Sequence, residues 1–145
     1  MKTLTNTILA VGAVAVLGTT GLYAQSKAVA NIPFQFTVNT VSLPAGEYSL
    51  AAQPNGNGVI QLVNLDTCRT VMVMAPATMS TYKGKSGDTG KVIFHRYGDR
   101  YFFSEVWSPG GPRGRAQPPK LEQELRASGS GTQMASIDIT LSGAK

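Results

Sequence analysis

One histidine and one cysteine bound the chemistry open to this chain: His95 and Cys68 are the only residues of their types among 145. Nucleophilic catalysis needs a Ser, Cys or Thr activated by a neighbouring base, most often His. No serine here sits in a G-x-S-x-G turn. A Cys68 and His95 couple on neighbouring strands is the one arrangement the sequence offers. The plainer expectation makes Cys68 a small buried or half-buried hydrophobe and His95 an imidazole packed against Phe102. A zinc site takes three or four converging Cys, His or carboxylate ligands, which one His and one Cys do not supply. Met72, Met74 and Met79 lie near Cys68, and thioethers suit copper(I). Met72 and Met74 also share a strand face, which core packing produces equally well. The sequence therefore names no metal and no cofactor.

Other chemistries find less. Gly84-Lys85-Ser86-Gly87-Asp88-Thr89-Gly90-Lys91 has the glycine content of a phosphate loop, but its spacing is wrong, Val92 stands where a hydroxyl is required, and a strand follows instead of a helix. Glycoside cleavage needs two carboxylates held across a cleft. Glu47, Asp99 and Glu105 sit on or beside expected strands without any sign of facing one another, and Glu105, opposite Val92, reads as an edge or solvent-facing charge. No enzyme activity is expected. What remains is recognition. Tyr101 and Trp107 are the aromatics best placed to reach solvent, where such rings stack on sugars or anchor an interface. Arg113 and Arg115, with Lys120 close by, form the one modest basic cluster. These four, Tyr101, Trp107, Arg113 and Arg115, are the candidate ligand or interface residues.

The elements that must position them are strands. Period-two alternation punctuated by Gly, Pro and Asn runs through the chain. Phe34 to Val38 alternates cleanly, and Leu43-Pro44-Ala45-Gly46-Glu47-Tyr48 has the residues of a tight reversal leading into a strand from Glu47 to about Ala52. Pro54 to Gly58 is a turn, Val59 to Val63 a strand, Asp66 and Thr67 a break before Thr70 to Met74, and Tyr82 to Gly90 a polar loop. The strongest signal is a hairpin, Lys91 to Tyr97 and Arg100 to Trp107 about Gly98-Asp99, in a type II′ or I′ turn. It sets Phe94 against Phe103, Arg96 against Tyr101 and His95 against Phe102. Pro109 to Pro119 reads as an irregular Pro/Gly loop. Leu121 to Arg126 forms a short helix with its two leucines four apart on one face. Ser128 to Gly131 is a tether, and Ala135 to Leu141 a closing strand. The expectation is an all-β chain, a single-domain antiparallel β-sandwich or closed barrel of seven to eight strands, with one short helix near the C-terminus.

The first two dozen residues read as an address instead of a fold. Lys2 precedes a weakly polar to apolar run from Ile8 to Gly18, and small residues lead to Ala24, which suits a signal peptidase. The run is shorter than the roughly 20 residues a membrane-spanning helix needs. Residues 1–24 are thus expected to be a signal peptide and 25–145 the mature domain, starting at Gln25, with Ala28-Val29-Ala30 as a second cleavage site. The domain of about 120 residues suffices for one core. Its lone cysteine allows no internal disulfide in an oxidising compartment. Loss of Lys2 takes the formal charge from +5 to +4, which favours solubility; an ordinary solvated basic surface is the plainer expectation, with contact to anionic envelope polymers the alternative.

Three pieces resemble a group of small secreted proteins of unassigned function that are frequent in acidobacterial genomes: Ile32-Pro33-Phe34-Gln35-Phe36, Leu43 to Tyr48, and Phe94-His95-Arg96-Tyr97-Gly98-Asp99-Arg100-Tyr101-Phe102. The resemblance implies a secreted β-rich fold and brings no activity or functional residue with it.

The sequence thus points to a secreted, periplasmic or extracellular, non-catalytic β-sandwich. Its expected role is that of an interaction or structural component of the cell envelope or extracellular matrix, with itself or envelope polysaccharide as partner. One version has the terminal strand completing a neighbour's sheet; pairing within its own domain is the simpler expectation. The alternatives are a carbohydrate-binding module and a small envelope enzyme. Nucleic acid is not expected as a partner, because Gly114-Arg115 is too short a basic segment and the chain is exported. No membrane span is expected after cleavage.

Overall fold

The computed structural model describes residues 27–53, 58–80, 89–109 and 111–142. The expected leader, part of the turn at 54–57 and most of the loop from Tyr82 lie outside them. The described residues form ten strands and one short helix in two facing sheets, a sandwich and not a closed barrel. The first sheet holds β1 (Lys27–Ile32), β4 (Gly46–Ala52), β5 (Val59–Asn64) and β6 (Thr70–Met74). The second holds β2 (Phe36–Val38), β3 (Val41–Leu43), β7 (Lys91–Tyr97), β8 (Arg100–Trp107) and β9 (Arg113–Arg115). Strand β10 (Gln133–Ser142) joins them: Gln133 to Asp138 pair with β7, and Ile139 to Ser142 with β1. A strand that changes sheets in this way makes one corner of the sandwich. Among the described residues no helix is long and apolar enough to cross a membrane.

The core follows from alternation. Ala28, Ala30, Ile32, Phe36, Val38, Tyr48, Leu50, Ile60, Leu62, Val73, Val92, Phe94, Phe103 and Val106 point between the sheets. Phe94 is fully buried, with Phe34, Phe36 and Phe103 edge-on around it. The opposite corner is closed by a close approach. Gly114 of β9 lies so near the segment after β6 that a Cβ there would stand 1.8 Å from the Ala75 carbonyl oxygen. Arg115 N–H donates to the Pro76 carbonyl across the same junction.

Several expectations change. Ten strands replace seven or eight, because three were hidden. Ala28-Val29-Ala30 belongs to β1, paired with both β4 and β10. Asn39, at φ 55, turns the chain directly from β2 into β3. Arg113 to Arg115 makes β9 inside the segment expected to be irregular. The Leu43 to Tyr48 segment closes no hairpin; it carries the chain from the second sheet to the first, held where the Tyr48 hydroxyl donates to the Pro44 carbonyl at 2.6 Å. Cys68 is exposed instead of buried, at φ 57 in the β5–β6 turn, where Asn64 Oδ1 accepts from the Asp66 and Thr67 amides. Met72 and Met74 are exposed on the outer face of β6, whose core residue is Val73.

The β7–β8 hairpin holds its expected register from the turn to Phe94 and Phe103, with Gly98 alone at positive φ, as a type II′ turn requires. Beyond that pair the register slips. Ile93 faces Glu105, so Ser104 is the extra residue of a β-bulge. Phe103 and Val106 both reach the core although three apart, and the bulge turns Ser104 and Glu105 to the outer face. Glu105 is therefore opposite Ile93 and not Val92. It is buried at 3 % exposure instead of facing solvent, with Ser80 Oγ donating to its carboxylate.

Candidate functional site

On the outer face of the second sheet lies helix α1 (Lys120–Ala127). Pro119 precedes it, Glu122 stands in its first turn and Arg126 in its last, a charge order that matches the helix dipole. The leucines do not attach it. Leu121 is exposed and Leu125 half-buried, while Glu122, at 1 % exposure, is the buried residue of the helix. Burying a carboxylate costs several kcal/mol unless partners compensate it, and three do. His95 Nδ1 lies 2.6 Å from Glu122 Oε1, the Tyr97 hydroxyl donates to the same oxygen at 3.1 Å, and Arg126 Nη2 approaches it at 3.4 Å. Arg126 Nε also donates to the Tyr97 hydroxyl at 3.3 Å. That bond, above all, raises the Arg126 guanidinium above its ordinary pKa; its partial burial pulls the other way, and the charge of Glu122 adds to the rise.

The strands supply the other side. His95 and Tyr97 alternate onto the outer face of β7, and the bulge brings Ser104 of β8 beneath the ring, with Ser104 Oγ 3.2 Å from His95 Nε2. A carboxylate only accepts, so His95 Nδ1 carries a hydrogen toward Glu122, and in the neutral ring Nε2 is left to accept from the Ser104 hydroxyl. His95 is thus not simply packed against its cross-strand neighbour Phe102; both ring nitrogens are engaged. Cys68, in a turn of the other sheet, takes no part.

Beside this chain of bonds opens a cavity of about 320 Å³, walled by His95, Ser104, Arg115, Ala116, Gln117, Pro118, Glu122 and Arg126. Its one carboxylate is already compensated, so the groups left to meet a ligand are cationic or neutral. Arg113, exposed and two residues before Arg115, lies on the same side of β9, because Gly114 between them turns inward against Ala75.

The four residues named from sequence are not gathered in one place. Arg115 lines this cavity and Arg113 flanks it. Trp107, half-buried, lies directly across from Arg113 on one side and Lys91 on the other. Tyr101 lines a separate cavity of about 330 Å³ with Gln35, Ser42 and Arg100. Its ring stacks on Phe34 at 3.8 Å between centroids, and the Arg96 guanidinium sits over it at 5.4 Å. Sequence reasoning missed Ser104, Glu122, Gln117 and Arg126. The available signal was a Ser-Glu pair interrupting the apolar run of β8. Of the expected carboxylate candidates, Glu47 and Asp99 are exposed and lie away from this cavity. Among the described residues no cluster of His, Cys, Asp and Glu is arranged to hold a metal ion. No protein-family model matches the chain, and neither the curated proteins nor the solved structures give a match.

Proposed function

We propose that this protein is an exported binding domain of the cell envelope or extracellular matrix, and that the cavity under α1 takes an acidic group of an envelope polysaccharide. The observation that carries the reading is the charge arrangement. Arg115 walls the cavity and Arg113 flanks it, while Glu122, the one carboxylate there, is already paired with Arg126 and hydrogen-bonded to His95 and Tyr97. Guanidinium forks suit carboxylates, which they bind through two parallel hydrogen bonds. The apolar run followed by Ala24, and the resemblance to secreted β-rich proteins, support the export half of the reading.

Retention of the purified domain on immobilised polygalacturonate, with neutral dextran as the control, tests the proposal. Retention is expected on the acidic polymer alone, falling as salt is raised. Arg115→Ala is expected to weaken it roughly tenfold or more, the loss of a charge-assisted hydrogen bond. Equal retention on dextran, or none on either polymer, would overturn the proposal.

A further inference from the structure

We infer that Ser104 is a nucleophile, with His95 its general base and Glu122 the positioning residue, and that the cavity cleaves short acyl esters carried on the acidic polymer. The inference deepens the binding reading above and rests on it for the carrier of the ester. Its own ground is the sequence of contacts Ser104 Oγ to His95 Nε2 at 3.2 Å and His95 Nδ1 to Glu122 Oε1 at 2.6 Å. These are the nucleophile–base and base–orienter distances that acyl transfer requires, and such a constellation is recognised by geometry and not by order along the chain. All three side chains line one cavity. Its volume of about 320 Å³ admits a small acyl group.

Two further features separate this arrangement from an ordinary polar tie between helix and sheet. The Ser104 hydroxyl reaches the imidazole only because a β-bulge adds one residue to β8 at that point, and bulges commonly re-aim side chains beside active sites. The carboxylate is itself fixed by the Tyr97 hydroxyl and Arg126, so the ring it orients is held in one tautomer. Arg115 and Gln117 line the same cavity, and their side chains carry N–H groups of the kind that stabilise a developing oxyanion.

The step balances with water alone. The Ser104 oxygen forms a bond to the ester carbonyl carbon while its proton passes to His95 Nε2. The bond from that carbon to the alcohol oxygen then breaks, and the alcohol leaves with the proton. Water attacks the acyl-serine, gives a proton to Nε2, and the carbon–Oγ bond breaks with return of that proton to Ser104, releasing the carboxylic acid. No oxidant, reductant or metal enters.

The test uses two probes that carry no polymer, so that its failure is distinct from failure of polysaccharide binding. The mature domain is treated with a fluorophosphonate and, separately, with 4-nitrophenyl acetate. Peptide mass spectrometry of the first locates the adduct, and release of nitrophenolate from the second gives kcat and KM. The expected results are a phosphonyl adduct on Ser104 and turnover that Ser104→Ala abolishes, with the circular dichroism and thermal unfolding of the unmutated domain preserved. Glu122→Gln is expected to lower kcat roughly 100-fold or more while KM stays within about twofold, as loss of an orienting carboxylate does. No adduct on Ser104 of the unmutated, folded domain, or equal turnover by Ser104→Ala, overturns the inference and leaves the three residues as a structural tie. A Glu122→Gln domain that folds and turns over at the unmutated rate removes the role given to Glu122.

Discussion

His95 on β7 and Glu122 on α1 approach to 2.6 Å with both side chains buried, and through this contact a short helix is fastened to the outside of a sheet. The helix buries no leucine to do it. Polar docking of this kind is a weak source of stability, since a buried ion pair roughly breaks even against well-packed apolar residues, while removal of one partner leaves the other uncompensated. Its value lies in fixing positions: the same contact aims His95 at Ser104 and sets Arg126 at the cavity wall.

Glu122→Ala is accordingly expected to destabilise the domain by about 3 kcal/mol or more, because His95, Tyr97 and Arg126 all lose their shared acceptor. The double variant His95→Leu with Glu122→Met is expected to recover most of that stability while losing retention on polygalacturonate. Urea unfolding followed by circular dichroism reads the first effect, and the retention assay the second. A double variant as unstable as Glu122→Ala would show the polar tie to be structural in its own right.

The junction of β9 with Ala75 is the second sensitive point. Gly114→Ala places a methyl 1.8 Å from a backbone oxygen, where no flexible side chain is available to yield. Overpacking of this severity is expected to cost about 3 kcal/mol and to push β9 away from β6, moving Arg113 and Arg115 with it. Thermal unfolding and the polymer assay should therefore change together. An unaltered melting temperature would mean that the corner is open in solution.

If the proposed leader is cleaved, the position of β1 favours the first of the two expected sites. Ala28 and Ala30 are fully buried, and β1 pairs with β4 and β10. Removal of residues through Ala30 would take most of a central strand out of the sandwich. N-terminal sequencing of exported protein is expected to start at Gln25. A start at Asn31 in a folded product would contradict the strand pairing described here.

The hairpin was legible in the sequence because Gly98-Asp99 fixes a type II′ turn and the pairing outward from it is determined as far as Phe94 and Phe103. The bulge was not, because β8 is buried on both faces and its alternation carries no phase to interrupt. Strand β1 was hidden by its small residues, which look like those that follow a leader, and β9 by a glycine that serves close packing instead of a turn. The cavity stayed invisible for a tertiary reason. Arg113 and Arg115 stood out by charge, but Glu122 in a helix that also offers two leucines reads as solvated, and only the approach of His95 from another element makes it the buried residue. Strand β10 pairs with β7 and β1 of its own chain, so completing a neighbour's sheet with it would require withdrawal from both.

The central claim, that an acidic group enters the cavity under α1, is tested most directly at His95, whose imidazole is the only one in the chain. Long-range proton–nitrogen spectra of the labelled domain give that ring a single, unambiguous set of signals. Titration with a galacturonic acid oligomer is expected to shift them saturably, with no response to a neutral glucan oligomer and a weakened response in Arg115→Ala. Imidazole signals that stay fixed while the oligomer binds, or no binding at all, would contradict the account.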